Sequence, residues 1–249
     1  MRAWIALFKK DFKLTRTVCF VGLIINFLIA MLTLYVGRDT TGNTLFMFIP
    51  LAVAVVFHIL YFPIIVFISL KTEANQLHLW LHNPQPARTL LFSKIVNGLM
   101  MMTISLLTLY VMTGLLIIPN FNLIEAYWTD VWMAGLFMFL HIIMFSLVIG
   151  IWVIFLWTLY HYLKFKIGRW SWLVVIGAVI GPCWINALFE STKLYNLLVE
   201  WGSMTYTYNF PFFSENPTQV YAGEYLYNTL IIIGLFYLSA WFNDKKIEV

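Results

Sequence analysis

Charge is what this sequence has least of. Lysine, arginine, aspartate and glutamate make up 10% of its 249 residues and hydrophobic residues 62%, whereas soluble domains carry roughly 25% charged and 45–50% apolar residues. That balance excludes an ordinary soluble domain. Cysteine is nearly absent as well: Cys19 and Cys183 are too few for a disulfide framework. Their expected depths in the bilayer differ by roughly 15 Å at 1.5 Å per helical residue, too far for a bridge, so free thiols are expected. No Gly-Lys dipeptide occurs anywhere. The phosphate-cradling loop G-x-x-x-x-G-K-[ST] is therefore excluded, and energy for any uphill movement has to come from a partner.

What the sequence has instead is long apolar runs. About 20 helical residues cover the roughly 30 Å hydrocarbon core, and six runs reach that length: 17–36, 45–70, 95–118, 132–163, 171–189 and 225–242. The composition thus predicts an all-α, polytopic membrane protein in a single transmembrane domain, 1–249. The first run is full length and lacks a small-residue cleavage site, so the N-terminus is expected to be retained. Basic residues favour cytoplasmic loops. With the N-terminus inside, 13 of the 15 fall in the cytoplasmic segments 1–16, 71–94, 164–169 and 243–249. This predicts six spans with both termini in the cytoplasm. All 26 charged residues lie outside the runs, which argues against an ion-coupled carrier, whose spans usually hold ionisable groups. His58 and His141 lie within the runs and His161 near a cytoplasmic end, where neutral, hydrogen-bonded imidazoles are expected.

The membrane edges carry further patterns. In "MRAWIALFKKDFKLTR", Trp4, Ile5, Phe8 and Phe12 gather on one side of a helix and Arg2, Lys9, Lys13 and Arg16 on the other, the pattern of an interfacial helix over residues 1–16. The external segment 190–224 exceeds an ordinary connection. Its Leu194, Leu197, Leu198 and Trp201 predict a short amphipathic helix on or dipping into the outer interface. "MTYTYNFPFF" follows, readable as an aromatic belt or as a gate for substrate. In "GAVIGP", Gly177 and Gly181 permit close helix approach, either for self-association or within the bundle, and Pro182 is expected to kink the helix.

The cytoplasmic stretch 71–94 reads "KTEANQLHLWLHNPQPARTLLFSK". His78 and His82 have the i, i+4 spacing of a zinc-protease helix, but Leu79 stands where the glutamate base belongs, and two ligands fall short of a zinc site. Leu77, Trp80 and Leu81 share one helical face, and Asn83-Pro84 ends the helix. Such a face suits either the bilayer surface or a docked protein.

The basic interfacial helix, the six spans, and a loop reading Glu73, Leu77, Leu81, Pro84, Arg88, Leu90-Leu91 and Lys94 together resemble the ABC-2-type permeases. These are membrane subunits of bacterial ATP-binding-cassette transporters, and the resemblance extends over essentially the whole chain. It implies that 1–16 is an elbow helix in which Trp4, Phe8, Phe12, Lys9 and Lys13 meet the interface, and that 190–224 is a re-entrant region. It implies that 71–94 is a coupling loop in which Glu73, Leu77, Trp80, Leu81, Pro84 and Arg88 dock on a separate ATPase. The implied partners are that ATPase, which binds ATP and Mg, a second permease subunit in a homo- or heterodimer, and the lipid of the bacterial cell membrane. No cofactor, metal, catalytic group or nucleic acid is implied for this chain. The implied function is export of an amphipathic or hydrophobic cargo such as a peptide, an antibiotic or a lipid-like molecule. Unlike larger members, the chain has only "GRDTTGN" between its first two spans. A different class, a non-transporting scaffold or sensor recruiting a cytoplasmic partner through the same loops, fits the residues too.

Overall fold

The computed structural model describes residues 2–39, 47–74, 85–206 and 218–244. It is almost entirely helical. The helices are α1 (Arg2–Asp39), α2 (Ile49–Phe57), α3 (Tyr61–Ala74), α4 (Ala87–Ile117), α5 (Trp128–Ile167), α6 (Ser171–Glu190), α7 (Lys193–Val199) and α8 (Ala222–Asp244). Among the described residues, five helical stretches are long and apolar enough to cross a membrane: Trp4–Gly37, Ile49–Ala74, Ala87–Ile117, Glu125–Glu190 and Ala222–Asp244. The fourth contains both the predicted spans 132–163 and 171–189. It is divided at Gly168–Trp170, where Gly168 takes φ +58°, the left-handed conformation that closes helices and favours glycine. Helix α1 runs without interruption from the predicted interfacial segment into the first apolar run.

The chain forms two compact units, residues 1–76 with 92–147, and residues 77–91 with 148–249. In the first, α2 and α3 are one apolar run interrupted by a 3-10 turn at His58–Leu60. The cause is Pro63, which lacks the N–H that would bond the carbonyl four residues earlier. The adjacent aromatic residues Tyr61 and Phe62 then seat on glycines of the flanking helices. A Cβ at Gly22 of α1 would collide with the Tyr61 ring, and one at Gly98 of α4 would lie 2.8 Å from Cδ2 of the fully buried Phe62. Small residues at such crossings let apolar helices pack by direct contact. Leu51, Ala54 and Leu109 close the apolar core at the other end of this unit, and the Tyr110 hydroxyl donates to the Gly135 carbonyl at 2.8 Å, joining α4 to α5.

In the second unit α8 is the hub. Phe155 and Tyr162 of α5 meet Phe242, with ring centroids 6.3 and 4.8 Å apart. Asp244 Oδ1 accepts from the Ala87 backbone N–H at 2.9 Å, satisfying a donor that the helix start leaves open. At the opposite end of α8, Tyr227 donates to Asn186 Oδ1 of α6 at 2.8 Å and its ring stacks on Phe189.

The short helix expected near 194–201 is present as α7, its N-terminus capped by Thr192, whose Oγ1 accepts from the Tyr195 N–H. The buried residue is Val199, whereas Leu194, Leu197, Leu198 and Trp201 face outward. An antiparallel ribbon of β1 (Ser203–Tyr206) and β2 (Thr218–Tyr221) follows, pairing Ser203 with Tyr221 and Tyr206 with Thr218. The sequence reading did not anticipate it; part of the "MTYTYNFPFF" segment, including Pro211, lies outside the described residues.

The seating of Phe62 on Gly98 gives a testable contrast with Gly114, where an added Cβ meets open space. Gly98→Val is expected to destabilise by about 1–3 kcal/mol through overpacking, whereas Gly114→Ala leaves stability unchanged or raises it through helix propensity. Thermal midpoints of the detergent-purified variants check this; equal midpoints would contradict the packing described.

Candidate functional site

Most of α1 is apolar, yet the face it buries is not. Asp11, Thr15, Asn26 and Thr33 are all buried, at spacings that keep them on one side of the helix, while Phe20, Ile24, Phe27, Leu28 and Tyr35 are exposed. Water would favour the reverse arrangement. A hydrocarbon surround favours this one, because polar groups then find partners only inside the bundle.

The seam begins with a charged cluster where α1, α3 and α4 meet. The Lys94 ammonium, with a side chain 1% exposed, has three N–H donors. It meets Asp11 Oδ1 at 3.0 Å, Ser69 Oγ at 3.0 Å and Glu73 Oε2 at 2.8 Å. The contact with Oε2 is an ion pair off the hydrogen-bond direction, and no other group donates to that oxygen among the described residues. Ser93 donates to Asp11 Oδ2 at 2.6 Å, and Lys10, partly exposed, donates to Glu73 Oε1. Two cations thus face two anions. The balance matters because an isolated buried charge costs several kcal/mol in lost hydration, whereas a paired and fully hydrogen-bonded one largely offsets that cost.

One turn onward, Asn97 Nδ2 donates to Thr15 Oγ1 at 2.8 Å and the Thr15 hydroxyl donates to the Asp11 carbonyl at 2.9 Å. A second polar cluster lies about 16 Å beyond Lys94 along α4. Asn26 Nδ2 reaches both the carbonyl and Oγ of Ser105, at 2.9 and 3.0 Å. His58 Nδ1 lies 2.7 Å from the Ala54 carbonyl and Nε2 lies 3.1 Å from Ser105 Oγ. A carbonyl only accepts, so Nδ1 carries hydrogen; in the neutral ring Nε2 then accepts from the serine hydroxyl. His141 and His161 likewise turn Nδ1 to the carbonyl four residues earlier, of Phe137 and Trp157.

The residues singled out from sequence are distributed as follows. Glu73 sits in the charged cluster, and Arg88 is exposed on the first turn of α4. Leu77, Trp80, Leu81 and Pro84 lie outside the described residues, as do His78 and His82. Trp4 stacks on Phe8, with centroids 5.7 Å apart, and both are half-buried; Phe12, Lys9 and Lys13 are exposed. Gly177 and Gly181 have no atom within 4 Å of an added Cβ, so no described helix of this chain packs closely on them. Helix α6 continues through Pro182. Among the described residues no group of three or more His, Cys, Asp or Glu side chains stands together as a metal site.

Sequence reasoning did not single out Asp11, Ser69, Ser93, Asn26 or Ser105. Asp11 sits inside a basic segment whose charges were read as topological, although its i, i+4 relation to Leu7 and Thr15 was visible. The stripe Leu7, Asp11, Thr15 lies to one side of the apolar cluster, and it is the stripe that packs.

These features define a class: a helical chain with a polar seam inside, apolar side chains outside and several helices long and apolar enough to cross a membrane, consistent with a multi-pass membrane protein. The chain is 28% identical, over 264 aligned positions covering the whole of both chains, to a Bacillus subtilis (strain 168) protein described as uncharacterized protein YhcE. No family model matches the chain, and no solved structure matches it.

Lys94→Met leaves Asp11 buried without its ammonium partner and is expected to destabilise by about 3–5 kcal/mol. Asp11→Asn combined with Lys94→Met leaves the Lys10–Glu73 pair balanced and is expected to be less damaging than Lys94→Met alone. Thermal unfolding of the purified proteins measures the difference, and additive losses would argue against the coupling.

Proposed function

We propose that this chain is the permease subunit of an ABC-2-type ATP-binding-cassette transporter in a bacterial cell membrane, exporting an amphipathic or hydrophobic cargo. It pairs with an identical or related permease subunit and with ATPase subunits that bind ATP and Mg. The loop 71–94 is the coupling segment, with Leu77, Trp80 and Leu81 as its docking face. One observation carries the reading. The two helices flanking that loop are joined by the Lys94–Glu73 ion pair, and both are tied to α1 through Asp11 and Lys10. A push on the loop therefore reaches three helices as one body, which is what coupling to ATPase closure requires.

Six spans with both termini inside remain part of this reading. The stretch Glu125–Glu190 has 66 residues, about 99 Å of helix and roughly three times the hydrocarbon core, so it serves as two passes turning at Gly168. Within the first unit, the start of α1, the end of α3 and the start of α4 come together at Asp11, Glu73 and Lys94. Within the second, Ala87, Tyr162 and Asp244 gather at one end. Both groupings support the alternation of chain direction that six spans require, with residues 1–16 as an elbow helix and 190–224 at the outer interface.

Co-expression with a cognate ATP-binding-cassette ATPase tests the proposal. The two are expected to co-purify, and Leu77→Asp/Leu81→Asp is expected to abolish the association while leaving membrane insertion intact. Glu73→Gln is expected to keep the association but to lower cargo-stimulated ATP hydrolysis in reconstituted vesicles. An association untouched by the leucine changes would remove the docking claim.

A further inference from the structure

The turn between α5 and α6 forms an open cavity of about 500 Å³ lined by Tyr160, Lys164, Gly168, Arg169, Ser171 and Trp172. Its chemistry is one-sided. The sequence contains no acidic residue from Val131 to Phe189. Among the described residues neither Lys164 nor Arg169 forms an ion pair; Lys164 instead stands 6.0 Å over the Tyr160 ring. Ser171 is 2% exposed and lines the cavity, yet no described group hydrogen-bonds to its hydroxyl. It also opens α6, which continues out of the 3-10 turn at Gly168–Trp170, the Ser171 backbone N–H donating to the Gly168 carbonyl. Gly168, at φ +58° with open space around it, leaves the mouth of the cavity clear.

The surroundings fix the depth. Phe165, Trp170 and Trp172 are 75%, 67% and 52% exposed beside Lys164, Lys166 and Arg169, and tryptophans flanked by basic residues mark the headgroup level of a bilayer. From these observations we propose that the cavity binds the phosphate of an anionic phospholipid headgroup. The Arg169 guanidinium meets two phosphate oxygens as a fork, Lys164 supplies a point charge, and the Ser171 hydroxyl donates to the remaining oxygen. Trp172 and Tyr160 lie against the glycerol and upper acyl chain. The assignment depends only on the chain lying in a membrane and is independent of the transporter reading.

Native mass spectrometry of the full chain in detergent, titrated with dioleoyl phosphatidylglycerol or dioleoyl phosphatidylcholine, tests it. Phosphatidylglycerol is expected to bind in preference. Lys164→Gln/Arg169→Gln is expected to weaken it about thirtyfold, the effect of removing two cations near an anionic lipid. The charge-matched control Arg38→Gln/Lys193→Gln, at positions remote in sequence from this turn, is expected to leave binding unchanged. Ser171→Ala alters no charge and is expected to weaken binding about tenfold, as loss of a hydrogen bond to a charged group does. Equal binding of the two lipids, equal losses in the two double variants, or full affinity in Ser171→Ala would each overturn the assignment. Excess inorganic phosphate separates the sources: persistence of the bound lipid assigns the site to the headgroup, and displacement by phosphate alone assigns it to the free anion and overturns the lipid.

Discussion

The arrangement of α1, α3 and α4 depends on one ammonium group that has no access to water. Lys94 is 2% exposed, and an uncompensated charge in such a place would cost several kcal/mol of stability. Here the charge is compensated, because the ammonium donates to Asp11 and Ser69 and ion-pairs with Glu73. Those acceptors come from two other helices, so helix positions that apolar packing leaves free to slide are pinned in register. Ser93 and Lys10 complete the arrangement by occupying the outer oxygens of the two carboxylates.

From that anchor the seam continues inward with decreasing charge. Ions give way to Thr15 and Asn97, then to Asn26, Ser105 and His58, and then to Thr33, whose hydroxyl returns to the Ile29 carbonyl of its own helix. The order follows the physics of a low-dielectric surround: full charges stay at the edge, where hydration is near, and neutral donors and acceptors occupy the interior, where each must be paired within the protein. The same logic turns Phe20, Ile24 and Leu28 outward. What would be an aggregation hazard in water is an ordinary boundary with lipid.

Much of this was legible in the residues. The long apolar runs became long helices because the membrane criterion is local: twenty apolar residues need no partner to be recognised. The turn at Gly168 falls in the predicted connection 164–169, whereas the break at His58–Leu60, inside a run read as continuous, was not anticipated although Pro63 supplies its cause. The β1–β2 ribbon was not legible, since four-residue strands carry little pattern and their pairing depends on a partner segment 15 positions away. The charged cluster was hidden for a similar reason. Asp11, Glu73 and Lys94 each read as loop or edge residues, and nothing in their own neighbourhoods says that they meet.

Composition and periodicity by themselves determined that this chain is helical and which stretches are long and apolar enough to cross a membrane, because helix hydrogen bonds and transfer to hydrocarbon are properties of contiguous sequence. Only the tertiary structure decided which face of α1 is buried, which carboxylates neutralise Lys94, and that the turn between α5 and α6 forms a basic cavity. Those outcomes depend on pairings between residues as many as 86 positions apart, and the free energy of such a pair exists only once both partners have been brought out of water together.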